Sequence, residues 1–481
     1  MSLGSDILLG ERYPLTCDDY NTISYYCCLD HVENSRYEAP MPWIGIYVAA
    51  ASLVCSLAMA ADVFLGFRHR KLWFPCKFFT LNAASLTLLT VSMKLPMDLN
   101  TDMQGDWDQL AKLGNIVMMS TTMGNFLPSL GTMNDKEIFV NITTLAILVI
   151  TIFVNISIQL QTRLIDPFFE REYIAAMSFM LLLLVLLSFS ALTVSTTKKS
   201  LQLSYDDICK TISSEESEGV QNFTFEKLKE NVKKYWMMAE TSSPQFVMAR
   251  SVTCYASGII CFLAVATLAE ATVRKSIHYY VWYRREDLYL ARSGYRWSTF
   301  VLLLIQTFEV VVGTIALAFR WFMVIRLRCS KKRVQSYKTE LKTENYWIKR
   351  LVGWRDNPLA LRLRGQKWRK LVHTTKNLIL NFFIQVQITI VTAIKLNLLI
   401  SIFLVSTLMS FGHSYKVLKQ KLGYCKPTTS NNHREPESGP GTTLDLSRYV
   451  IYLEGEEELP LQIMKNNRDA TNHLIQKGKK Q

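Results

Sequence analysis

The sequence is poor in the groups that carry most chemistry. Seven histidines are scattered through 481 residues, and ten cysteines include no CxxC pair; no HxxxH or HExxH occurs, so no metal-ligand spacing emerges. A phosphate-binding glycine-rich loop and a GxSxG elbow are missing too, which removes the signatures of nucleotide-hydrolysing and serine-hydrolase sites. The chain therefore reads as not an enzyme, with no catalytic residue, metal or cofactor expected. Acidic residues are outnumbered, 40 against 54 Lys and Arg, for a net charge of +14. Because no nucleic-acid module accompanies this excess, nucleic acid is not the expected partner. The first 42 residues also lack the basic n-region and apolar h-region of a secretory signal, so targeting falls to the first long apolar run.

What the chain does contain is apolar length. Hydrophobic residues make up 49% of it, gathered into runs instead of spread at core periodicity. Crossing a hydrocarbon core of roughly 30 Å takes about 20 apolar helical residues, because lipid offers the backbone no partner outside the helix. Seven runs qualify: Trp43–Phe67, Phe78–Leu95, Leu113–Met133, Ile138–Leu160, Tyr173–Thr197, Ser251–Val273 and Ser298–Phe319. Leu113–Met133 is interrupted by Gly114, Gly124, Asn125 and Pro128, so re-entry is its alternative. Leu378–Gly412 is longer than one simple crossing, is split by Lys395, and is either spanning or interfacial. The expected fold is an all-α polytopic helical membrane bundle with about seven firm spans, eight or nine if the last run crosses, plus cytoplasmic helical loops.

Sidedness follows from charge. Asp6, Glu11, Asp18, Asp19, Asp30, Glu33 and Glu38 precede the first run, and Arg68-His69-Arg70-Lys71 follow it. The positive-inside rule then puts the N-terminus outside and the 197–250 loop in the cytoplasm. Cys17, Cys27 and Cys28 would face out, allowing one bridge from Cys17 to either member of the vicinal pair. The organisation reads as an acidic extracytoplasmic segment (1–42), a seven-span region (43–325), a basic and partly amphipathic cytoplasmic loop (326–377), the additional apolar segment (378–412), a flexible linker (413–442) and a small C-terminal element (443–481). The membrane itself, plasma or internal, is not distinguished.

Two sets of residues stand out. In the basic loop, Ala360, Leu361, Trp368, Leu371 and Val372 share one arc of a helix, while Arg362, Lys367, Arg369 and Lys370 fall mostly elsewhere. That pattern suits a helix at the interface, with anionic cytoplasmic-leaflet lipids as partner; a solvated basic linker is the alternative. Within the spans, Glu309 sits at mid-run beside Gln306, Gly313 and Ala316, a polar and small face expected to look into the bundle. It is read either as an ion, proton or substrate contact or as a protonated helix-packing hydrogen bond. Asp62, Lys94 and Glu270 lie near span ends and are weaker pointers. A solvated acidic loop is expected for Asp98, Asp102, Asp106 and Asp108. Packing faces are expected at Gly45, Ala49, Ser52, Ser56 and Ala60 on the first span, and at Thr80, Ala83, Thr87, Thr90 and Lys94 on the second.

The stretches MPWIGIYVAAASLVCSLAMAADVF (41–64), KLWFPCKFFTLNAASLTLL (71–89), MGNFLPSLGTM (123–133) and the tail beginning DLSRYVIYLEGEEELPLQIMKNNRDATNHLIQKG resemble an uncharacterised land-plant family of multi-pass transmembrane proteins. The resemblance implies a membrane bundle and a tail extending past Gln481, and it brings no activity with it. The large charged cytoplasmic loops, the tail and the scarcity of charged groups in the spans lean toward a signalling or scaffold membrane protein, with protein partners on the loops and tail. A transporter or channel using an intramembrane carboxylate is the alternative.

Overall fold

The structure, a computed structural model, describes residues 40–69, 71, 73–98, 105–217, 225–282, 297–329, 343–357, 366–421 and 446–453, and every regular element among them is helical. The acidic N-terminal segment with Cys17, Cys27 and Cys28, the sequence around Ala360, Leu361 and Arg362, and most of the linker and tail lie outside the described residues.

In chain order the helices are α1 (Met41–Arg68), α2 (Ala83–Ser92), α3 (Lys94–Met97), α4 (Asp106–Phe126), α5 (Asp135–Gln161), α6 (Glu170–Ser217), α7 (Phe225–Thr241), α8 (Pro244–Ala249), α9 (Val252–Trp282), α10 (Trp297–Cys329), α11 (Asn345–Asp356) and α12 (Gln366–Lys421). Short 3-10 turns cover Pro128–Thr132 and Leu446–Tyr449. Among the described residues six helices are long and apolar enough to cross a membrane: α1, α5, α6, α9, α10 and α12. The protein is a multi-pass helical membrane bundle.

The second and third apolar runs take other forms. Phe78–Leu95 yields only the ten-residue α2 and the four-residue α3. The Asp62 carboxylate accepts hydrogen bonds from the Lys77, Phe78 and Phe79 N–H groups, so this stretch stays non-helical until Asn82 caps α2 through the Ser85 N–H. The face expected to pack, Thr80 to Lys94, is reversed. Thr87, Thr90 and Lys94 are exposed, whereas Ser85, Leu86, Leu89 and Ser92 are buried. The reason is local: Thr87 and Thr90 donate to carbonyls of their own helix, Ala84 and Leu86, and so need no neighbour.

Leu113–Met133 becomes α4, the centre of the molecule. Every residue from Asp108 to Gly131 is buried, enclosed by α6, α9 and α10, with α1 reaching it through Ser52 on Met118 and Met59 on Asn125. A helix that never meets lipid is free of the hydropathy demand, which is why Gly114, Asn115, Ser120, Thr121 and Asn125 are tolerated there. Its 21 residues extend about 31 Å at 1.5 Å each, comparable with the hydrocarbon core. On α1, Gly45, Ala49, Ser52 and Ser56 are buried against these neighbours.

Hydrogen bonds fix which helix ends lie together. At one end, here the α8 end, Lys71 pairs with Glu240, Gln245 donates to the Cys76 carbonyl, Lys198 donates to the Met133 carbonyl, and the Pro128–Thr132 turn packs on α8. At the opposite end, Gln109 donates to the Leu164 carbonyl and accepts from the Asp166 N–H, while Tyr173 donates to the Gln109 carbonyl. Asn141 and Asn155, both in sequons, donate to the Leu81 and Met97 carbonyls, aligning α2–α3 along α5. Thus α1, α2–α3, α4, α5, α6, α9 and α10 run alternately between the two ends.

Candidate functional site

One seam of buried polar residues runs between α4 and α10. On α10 the positions Thr299, Gln306, Glu309, Gly313 and Arg320 recur at helical spacing, so all point the same way. Facing them on α4 are Asp108, Asn115, Thr121 and Asn125. Near the opposite end the Thr299 hydroxyl donates to Asp108 Oδ1 at 2.6 Å. Gln306 Nε2 donates to Asn115 Oδ1 at 2.6 Å and to the Ala111 carbonyl at 3.2 Å. The amide fits because residue 114 is glycine: a Cβ there would sit 2.6 Å from Gln306 Oε1.

One turn further on is Glu309, with 0% of its surface exposed. Among the described residues neither carboxylate oxygen has a hydrogen-bond partner, and the adjoining Gln306 Oε1 and Asn115 Nδ2 are also unmatched. α10 packs against both α1 and α4, and Glu309 lies on its buried face. Among the described residues no helix-packing hydrogen bond, one of the two alternatives read for this side chain, is present.

The α8 end of the seam closes on Arg320, the largest fully buried side chain. Its guanidinium donates to the Trp73 carbonyl (3.0 Å), the Phe74 carbonyl (2.8 Å) and Asn125 Oδ1 (3.1 Å). Asn125 Nδ2 in turn donates to the Gly313 and Thr121 carbonyls, joining both helices. The 73–79 segment is thereby pinned between Arg320 and Asp62. Phe74 is held at a φ of 47°, and its ring lies against Gly66, where a Cβ would meet Phe74 Cδ1 at 2.1 Å. Asp62, Cys76, Asn125 and Arg320 line a small cavity beside Met59 and Phe79, with room for about one water.

The remaining expected residues lie elsewhere. Lys94 is exposed and 4.0 Å from Asp98, and Glu270 is exposed on α9. Lys367, Arg369 and Lys370 are exposed in the first turns of α12. In the expected acidic loop, Asp108 is buried on Thr299, and no group of three or more His, Cys, Asp or Glu that could hold a metal occurs among the described residues. Arg320 and Asn115 were not singled out by sequence, and Asn125 was read there only as an interruption of its apolar run. The usable signal was the continuation of the Gln306–Glu309–Gly313–Ala316 stripe by one more turn. Comparison with protein-family models, curated proteins and solved structures finds no match to this chain.

Proposed function

We propose that the chain is a seven-pass membrane protein whose α4–α10 seam binds and releases a proton at Glu309, as part of a transport or channel cycle. The seven passes are α1, α2–α3, α4, α5, α6, α9 and α10, with the N-terminus outside and the α8 end in the cytoplasm. Glu309 carries the functional reading. An inward-facing carboxyl in a membrane interior is expensive unless satisfied, and a group retained only for packing would have a partner. Here the pairs towards the two ends of the seam, Thr299–Asp108 and Arg320–Asn125, are matched, while at its centre both Glu309 oxygens, together with Gln306 Oε1 and Asn115 Nδ2, have no partner among the described residues. A proton is the ion a lone carboxyl can take without further ligands. The favoured function is thus transport or conduction coupled to protonation, in preference to a passive scaffold.

The test is proton movement into liposomes containing purified protein and a trapped pH-sensitive dye, under an imposed potential. Wild type should acidify the lumen, and Glu309→Gln, which preserves size and folding, should abolish the signal. Equal rates for the two proteins would sink the proposal. Tags at residue 1 and near Ser214 test the sidedness: the first should be reachable from outside intact cells and the second only after permeabilisation.

A further inference from the structure

We infer that α12, although long and apolar enough to span, does not cross the membrane; it lies along the leaflet at the α8 end as an in-plane helix, with lipid as its partner. The argument is topological and independent of Glu309. On the N-terminal side of α12, α11 is fixed to the α8 end: Arg350 bonds Ser195 and pairs with Asp135, and the Tyr346 carbonyl accepts from Thr196. On its C-terminal side, residues 449–453 are fixed to the same end. The Ile451 N–H donates to Thr241 Oγ1, Arg250 donates to the Ile451 carbonyl, and Tyr449, Val450, Ile451 and Leu453 are buried with Trp73, Phe246 and Met323. Both flanks of α12 therefore sit on one side. Residues 366–421 form one continuous helix, and the stretch 422–445 (LGYCKPTTSNNHREPESGPGTTLD) is too polar to cross back. A single helix with both flanks on one side crosses zero times.

Val391, Ile394, Leu398 and Ile402 share a buried cluster with Val252, Tyr255 and Ala256 at the start of α9 and with Val324 and Ile325 near the end of α10, both at the α8 end, and the cluster reaches Leu186 of α6. Tyr255 bonds Asn397 and Ser401, and Lys395 is neutralised by Glu344 at 2.6 Å. Away from this protein-facing side runs an apolar stripe, with Leu378 68% and Phe382 63% exposed, continued by Leu396, Ile400 and Leu404. In the first half, Lys370, Thr374, Asn381, Gln385 and Thr389 follow one another at steps of four or seven residues along an exposed polar strip. A spanning helix would press that strip into hydrocarbon; an in-plane helix turns it toward headgroups while the apolar stripe enters the acyl chains.

The experiment uses the full chain in nanodiscs of phosphatidylcholine and phosphatidylserine, with nitroxide labels introduced singly at Leu378, Phe382, Leu396 and Ile400. The depth of each is read from its relative accessibility to oxygen and to a polar relaxant. A second measurement places epitope tags within 330–342 and 431–440 and scores which side of the membrane each occupies in intact cells. The expected result is one near-constant depth for all four labels and both tags on the same side. Tags on opposite sides, or depths that rise to the bilayer centre and fall again along the helix, would overturn the inference. Should the labels perturb folding, the tagged chains still decide it.

Discussion

Replacing Arg320 by Met tests the architecture of the seam most directly, because the substitution keeps much of the side-chain length and removes the charge and every donor. Two accounts of the guanidinium give different magnitudes. If its bonds to Trp73, Phe74 and Asn125 behave like ordinary interhelical hydrogen bonds, at about 0.6 kcal/mol each, losing all three costs roughly 2 kcal/mol. If instead Arg320 is the charged centre of a satisfied buried network, its removal leaves two carbonyls and an amide oxygen unmatched, and breaking such a group costs about 3–5 kcal/mol. The burial of the whole side chain and the strained Phe74 held by one of these bonds favour the larger figure. Equilibrium unfolding in mixed micelles would measure it, with Glu270→Gln on the exposed face as a control expected within about 0.5 kcal/mol of wild type. Arg320→Lys should fall between, since one ammonium cannot reproduce the guanidinium fork. Asn125→Ala combined with Arg320→Met should be less destabilising than the two separate losses added, because the residues share a bond. A loss below about 1 kcal/mol for Arg320→Met would refute the reasoning.

Gly131→Ala should destabilise by about 1–3 kcal/mol or prevent accumulation, since its Cβ would meet the Pro244 backbone at 2.7 Å, whereas Gly353→Ala, with open space around it, should be neutral or slightly stabilising; equal thermal stability of the two variants would contradict this. Burial pushes the Cys76 thiol up to about 11 in spite of the nearby Arg320, so the thiolate is scarce at pH 8 and alkylation should be slow until the protein is denatured. Native labelling of Cys76 as fast as that of the less buried Cys209 would be the contrary result. Changing Lys367, Arg369 and Lys370 together to Gln should weaken retention of phosphatidylserine at low salt by roughly a hundredfold, each charge being worth about 1 kcal/mol at the membrane surface. Unchanged retention would remove them from lipid contact.

The long apolar helices were legible because length and composition alone identify them: Ile138–Leu160, Tyr173–Thr197 and Ser298–Phe319 each fall inside one helix, and Ser251–Val273 does so from its second residue. The inward face of α10 was legible from Gln306, Glu309 and Gly313, which recur at helical spacing among lipid-facing residues. Arg320 was hidden because it directly follows an apolar run and reads as a flanking charge. Asp62 was undervalued for the same reason, since its partners are backbone N–H groups that carry no sequence signal. Lys395 looked like a break in its helix because Glu344, which neutralises it, comes from a distant segment. The second span's face was misread because a hydroxyl bonded to its own helix looks, in sequence, like one seeking a neighbour.

The enclosure of α4 has a consequence for how the protein is made. A segment containing Asp108, Lys112, Asn115 and Asn125 is poorly suited to partition into lipid on its own as it leaves the ribosome, because polar and charged residues oppose insertion. Yet the partners for its polar face, Thr299, Gln306 and Arg320, are synthesised nearly two hundred residues later. The central helix must therefore wait, held at the insertion machinery or against α1 through contacts such as Ser52 to Met118, until α10 arrives to close the seam. Biogenesis of this bundle is thus committed late, and damage to α10 should appear first as failed retention of a helix far upstream of it.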